Sequence, residues 1–274
     1  MEIDQFITAL DSDGALLADA AQAAGLDTDV PGCPGWRVRD LVRHQAYIHR
    51  WAMRHILERP AEVIDDNHTE ADILGGGSPE QEPEEEPLAA YREGHAALVR
   101  ALRTADPDLK CATFMPAPSP LAFWSRRQAH ETAIHRYDAQ RAAGTVNPGS
   151  TGDPGSPGDP VGAFAPDFAA DGIDELIMGF AARGKYRMRD EGHSLAVRPG
   201  DAAGGWRIAV RDGVTEVRRD LAGDLPARCV LRGPAAGLYT FLWNRCDRAE
   251  AGLTVQGEES VLATWRSGVR VRWD

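Results

Sequence analysis

The stretch LAFWSRRQAHETAIHRYDAQRAAG, residues 121–144, decides the architecture of the N-terminal half. It contains no internal proline and closes on Gly144, a common helix terminator, so it predicts one long helix from about Leu121 to Ala143. Glu131 and His135 stand four apart in it, which places them one turn apart on the same face. Two donors fixed in that way are able to chelate one ion, although solvated Glu/His pairs of this spacing are also common on helices. His130 would point about 100° away from Glu131.

Three further helices are predicted upstream. Residues 1 to about 25 place Phe6, Leu10, Leu16, Leu17 and Ala21 in rough helical register. After the turn-rich VPGCPG at residues 30–35, Trp36 leads into a helix from about Val38 to Leu57, stopped before Pro60, which carries His44, His49 and His55. A polar segment, residues 60–86, reads as a solvated loop, and Leu88 to Leu102 resumes helical spacing. Four amphipathic helices predict a four-helix bundle.

The pattern changes downstream. Residues 149–170 are rich in Gly, Pro, Ser and Asp, the composition of a flexible connection. A helix is expected over Ile173–Arg183, then alternating segments at Ser194–Arg198, Trp206–Arg211, Thr215–Arg219 and Cys229–Arg232, a helix over Gly233–Leu242, and strands near Leu253–Gln256 and Val269–Trp273. The fold class is therefore mixed: a helical bundle over residues 1–148, then a smaller α+β domain over 171–274. Two domains also suit a chain of 274 residues.

Composition narrows the function classes. The formal net charge of -12 disfavours nucleic acid and anionic lipid as partners. Mean hydropathy of -0.38, no apolar run near the ~20 residues of a membrane span, and acids in MEIDQFITALDSDG lead to the expectation of a cytoplasmic chain; a monomer or small homo-oligomer is also expected. Cys33, Cys111, Cys229 and Cys246 form no CxxC pair, so reduced thiols are expected rather than disulfides or a cysteine zinc site.

His44, on the second helix, is able to join Glu131 and His135 from across the bundle. Two imidazoles and one carboxylate suit Zn²⁺, with nickel, manganese or iron(II) allowed by ligand type, and three protein ligands leave a position open. Asp40 is read as either an acceptor that orients His44 or a helix cap.

The segment CPGWRVRDLVRH, residues 33–44, with His49-Arg50-Trp51 after it, resembles the N-terminal signature of the mycothiol-dependent maleylpyruvate isomerase family, within the DinB-like metal-binding superfamily. RQAHETAIHRYD, residues 127–138, is similar to that family's second signature, and GIDE at 172–175, GPAAGLY at 233–239 and LWNR at 242–245 resemble its C-terminal domain. The resemblance implies metal ligands at His44, Glu131 and His135, a divalent ion, most readily Zn²⁺, and mycothiol as thiol co-substrate acting on a small electrophile by isomerisation or S-transfer. By analogy it implies that Arg245 clamps a substrate carboxylate. Trp36 and Trp51 are candidate cofactor-binding indoles, with core packing the alternative for each. Gln45 stands where the family commonly has an apolar residue and is expected to face the pocket. A metal-binding protein without catalysis and a thiol-independent metal hydrolase are the rival readings.

Overall fold

The computed structural model describes residues 1–64, 87–145, 164–183 and 187–271, and the chain divides into two compact units, Met1–Thr145 and Val146–Asp274. The first unit is built from α1 (Ile3–Ala24), α2 (Val38–Glu58), α3 (Pro87–Arg103) and α4 (Pro120–Ala142). α1 packs most extensively on α4, and α2 on α3.

α4 starts where Pro120 takes the first helical position and the Ser119 hydroxyl accepts a hydrogen bond from Ala122 N, a pairing that satisfies one orphan amide. From Leu121 to Ala139 almost every residue is buried, including Arg127, Gln128, His130, Glu131, Thr132, His135, Arg136 and Asp138. Such a helix is central to its bundle, and its polar groups need protein partners because water does not reach them. On α1, Leu10, Leu17 and Ala21 reach the core, whereas Leu16, about 100° from Leu17 around the helix, is 43% exposed. α2 opens with a capping arrangement in which Arg37 N donates to Asp40 Oδ2 at 2.8 Å, so Asp40 caps the helix.

Most of the expected polar loop, 65–86, and most of the expected connection, 149–163, lie outside the described residues. Pro166 to Ala170, which composition assigned to that connection, already belong to a helix.

The second unit opens with α5 (Pro166–Asp174), which continues as a π-helical segment over Glu175–Ala181. β1 (Ser194–Pro199), β2 (Trp206–Arg211), β3 (Val214–Arg219), β4 (Cys229–Gly233) and β5 (Thr254–Gly257) form one sheet in the order β3-β2-β1-β4-β5. β1 and β4 are parallel, with Leu195 opposite Cys229; the other pairs are antiparallel. α6 (Ala235–Leu242), buried along its whole length, lies between β4 and β5 in the chain.

One expected strand is corrected. Before Val269 the chain forms α7 (Ser260–Gly268), burying Val261, Leu262, Thr264 and Trp265. Residues 269–271 are not strand; the Val269 carbonyl accepts from Asn244 Nδ2 at 2.9 Å instead of from a neighbouring strand. Residues 272–274 lie outside the described residues.

Candidate metal centre

Three side chains meet between α2 and α4. His44 Nε2 lies 3.3 Å from Glu131 Oε1, and His135 Nε2 lies 3.4 Å from the same oxygen. One ligand atom from each residue lies within 4.8 Å of the others. A tetrahedral ion with bonds of about 2.0–2.3 Å sets its ligand atoms about 3.3–3.7 Å apart, so both separations fit one ion, and the donor set suits a divalent cation.

The second carboxylate oxygen is already engaged. Arg127, one turn before Glu131, donates from Nη2 to Oε2 at 2.5 Å, with both side chains buried. Oε2 is thereby committed to the guanidinium, and Oε1 is the oxygen turned to the imidazoles. Burial opposes the charged form of Glu131, but Arg127 and the two histidines outweigh it and hold its pKa well below the ordinary carboxylate value. Glu131 is therefore an anion before any cation arrives.

His135 is oriented from its other side. Its Nδ1 lies 3.0 Å from Asp138 Oδ2, and since a carboxylate only accepts, Nδ1 carries the proton. Asp138 is fully buried and also receives Cys33 Sγ at 3.4 Å. Burial lowers the proton affinity of His135, yet Asp138, Cys33 and Glu131 prevail and raise its pKa well above the ordinary value. A carboxylate behind a ligand imidazole fixes its tautomer and strengthens its donor nitrogen.

Trp36 lines the same place. Its ring is 5.1 Å from His44 and stacked at 14° and 6.3 Å from His135, and it is only partly buried. Trp51 is 2% exposed, packs on His55, Trp124 and Phe114 and donates from Nε1 to Ile64 O at 3.1 Å. Those contacts make it a core residue.

Three further histidines of the first unit, His49, His55 and His130, are fully buried. His55 places Nδ1 to donate to Trp51 O at 2.9 Å and Nε2 to accept from Ile64 N at 3.0 Å. His49 is fully buried against Thr132 Oγ1 at 2.8 Å, and burial, with His95 nearby, keeps its pKa well below the ordinary value. Gln45 is fully buried, and its Oε1 accepts from Thr132 Oγ1 at 3.5 Å. His130 packs edge-on against Phe6. Arg245 belongs to the second unit, just after α6, and donates from Nη1 to Trp243 O at 2.9 Å.

Residues 7–140 match the mycothiol maleylpyruvate isomerase N-terminal domain, and residues 167–264 match the C-terminal domain of the same family. The chain belongs to the mycothiol maleylpyruvate isomerase family. Two crystal structures of mycothiol-dependent maleylpyruvate isomerase share its fold. One has a TM-score of 0.58 at 14% identity, and a histidine-to-alanine mutant has 0.60 at 13%; each comparison covers 94% of this chain and 95% of the other. No curated protein sequence matches this chain. Among the described residues no helix is long and apolar enough to cross a membrane.

Proposed function

We propose that this member of the family is an enzyme that uses mycothiol as its thiol co-substrate at a divalent-metal centre held by His44, Glu131 and His135, and that it isomerises a small electrophile or transfers the thiol to it. The observation that carries this reading is the approach of His44 Nε2 and His135 Nε2 to one oxygen of a carboxylate already ionised by Arg127. A bound dication, Zn²⁺ in this reading, would supply Lewis acidity that keeps an incoming thiol as thiolate at neutral pH.

The chain's own groups account for the rest. His44 and His135 present Nε2 from two helices, so the set is assembled only when α2 and α4 pack. Asp138 holds the Nδ1 proton of His135 and leaves its Nε2 directed at the site. Trp36 covers the two imidazoles with an apolar ring and excludes water from one side. Arg245 is assigned to a substrate carboxylate, because a guanidinium clamps that group through two parallel hydrogen bonds. In this reading the enzyme works in a reducing cytoplasm, which its four free cysteines support.

Isothermal titration of the metal-loaded protein with mycothiol tests the reading. Binding that disappears on chelation is expected, and no binding at millimolar thiol would overturn it. Turnover of electrophiles without added thiol would point instead to a metal hydrolase.

A further inference from the structure

His135 has donors on both sides of its ring. Behind the first set, His135, Asp138 and Cys33 form a second group, in which one ligand atom from each residue lies within 4.8 Å of the others. The separations within it are 3.0 Å from Nδ1 to Oδ2 and 3.4 Å from Sγ to Oδ2. The second matches an edge of a tetrahedral site with one sulfur ligand, about 3.3–3.7 Å, and the first is a hydrogen-bond distance that would open by about 0.3 Å around an ion. Among the described residues this is the group of potential metal donors that includes a thiol.

The thiol is held in place by backbone. Cys33 N donates to Val30 O at 3.0 Å, Trp36 N donates to Cys33 O at 3.0 Å, and Val30 N donates to Trp36 O at 2.9 Å, which ties the turn on both sides of the cysteine. Cys33 and Cys111 are partly exposed, whereas Cys229 and Cys246 are buried. A soft cation arriving from solvent therefore meets Cys33 before the two buried thiols.

We propose that Cys33, Asp138 and His135 Nδ1 form a second cation site, selective for a thiophilic ion, that shares its imidazole with the first. The proton balance is simple. Cys33 releases its thiol proton to solvent, Asp138 supplies a carboxylate oxygen, and the Nδ1 proton of His135 is replaced by the ion. The ring then either releases that proton or keeps one on Nε2, where Glu131 Oε1 is the acceptor. In the second case the imidazole no longer offers Nε2 to the first set, so a soft ion at the second site opposes occupancy of the first. Sulfur, nitrogen and carboxylate together favour borderline and soft ions over magnesium or calcium.

Cadmium alone is the probe, added to the full-length protein freed of metal, with the thiolate-to-cadmium charge-transfer absorption as readout. The wild type is expected to develop this band, Cys33→Ser to lack it, and His44→Ala, which disables the first set only, to keep it. Asp138→Asn retains the thiol and is expected to move the titration midpoint by roughly tenfold or more. No band in the wild type, a band that survives Cys33→Ser, or a midpoint unmoved in Asp138→Asn would overturn the proposal. Loss of the band in His44→Ala would also overturn it, because the thiol would then belong to the first ion. Mycothiol plays no part in this titration, so its result is independent of the proposed enzymatic function.

Discussion

Asp138 and His135 stand one turn apart on α4, with Oδ2 3.0 Å from Nδ1, and the carboxylate is fully buried. A hydrogen bond in that position sets which nitrogen of His135 is available as a donor. Asp138→Asn is expected to lower zinc affinity by roughly tenfold to a hundredfold, since the amide orients the ring less well and adds no negative charge. Competition with a chromogenic chelator measures this; an unchanged dissociation constant would show that Asp138 does not tune the ligand.

Arg127 balances the charge of Glu131 in the metal-free bundle. Arg127→Met leaves a buried carboxylate without its guanidinium, a change that costs about 3–5 kcal/mol. Denaturant unfolding of metal-free protein should show that loss, and saturating Zn²⁺ should recover part of it by binding only the folded state. Equal stability of the variant and wild type without metal would contradict the assignment.

His55 predicts an acid-sensitive term. Burial lowers its pKa in the folded chain, and its Nε2 accepts from Ile64 N, a bond that a protonated ring cannot keep. The unfolded chain takes up that proton near the ordinary value of about 6.5. The folded chain does so only at lower pH, so this contribution is complete above about 6.5 and is lost as pH falls through the window below it. His49 and His95, also lowered chiefly by burial, add in the same direction, whereas His135, raised, opposes it. His55→Gln, which keeps a donor and an acceptor, should flatten the fall in unfolding free energy between neutral pH and about pH 5. A slope identical to wild type would contradict this.

The two tryptophans should separate by phenotype. Trp51→Ala removes a core indole and is expected to cost about 3–5 kcal/mol in stability. Trp36→Leu, at the partly exposed edge of the site, should weaken thiol binding by titration calorimetry with little change in the denaturation midpoint. The reverse pattern would return Trp51 to the site.

The sequence showed some of this site and concealed the rest, for physical reasons. Glu131 and His135 were legible because helical spacing alone puts them on one face, and Arg127, four before Glu131, follows the same rule, though an i,i+4 ion pair reads as a surface feature until its burial is known. His44 was offered as a third donor from the second helix, and the resemblance of residues 33–44 strengthened that choice, since nothing in local spacing says which helix crosses α4. The Cys33–Asp138 contact joins residues 105 apart in the chain and depends on a turn conformation that periodicity does not encode. Trp51 and His55 illustrate the opposite limit: aromatic and imidazole rings beside a motif look functional, and packing decides. In the second unit, β2 was read to the residue, while α7 was missed. Its helical spacing is short, and the alternation that follows it from Val269 reads as a strand in sequence, although residues 269–271 are not one.

The central claim is that His44, Glu131 and His135 hold one divalent ion. Elemental analysis of purified His135→Ala beside the wild type, both loaded with Zn²⁺ and then desalted, tests it most directly. A stoichiometric ion in the wild type and its loss from the variant are predicted; full retention of stoichiometric metal by the variant would contradict the ligand assignment.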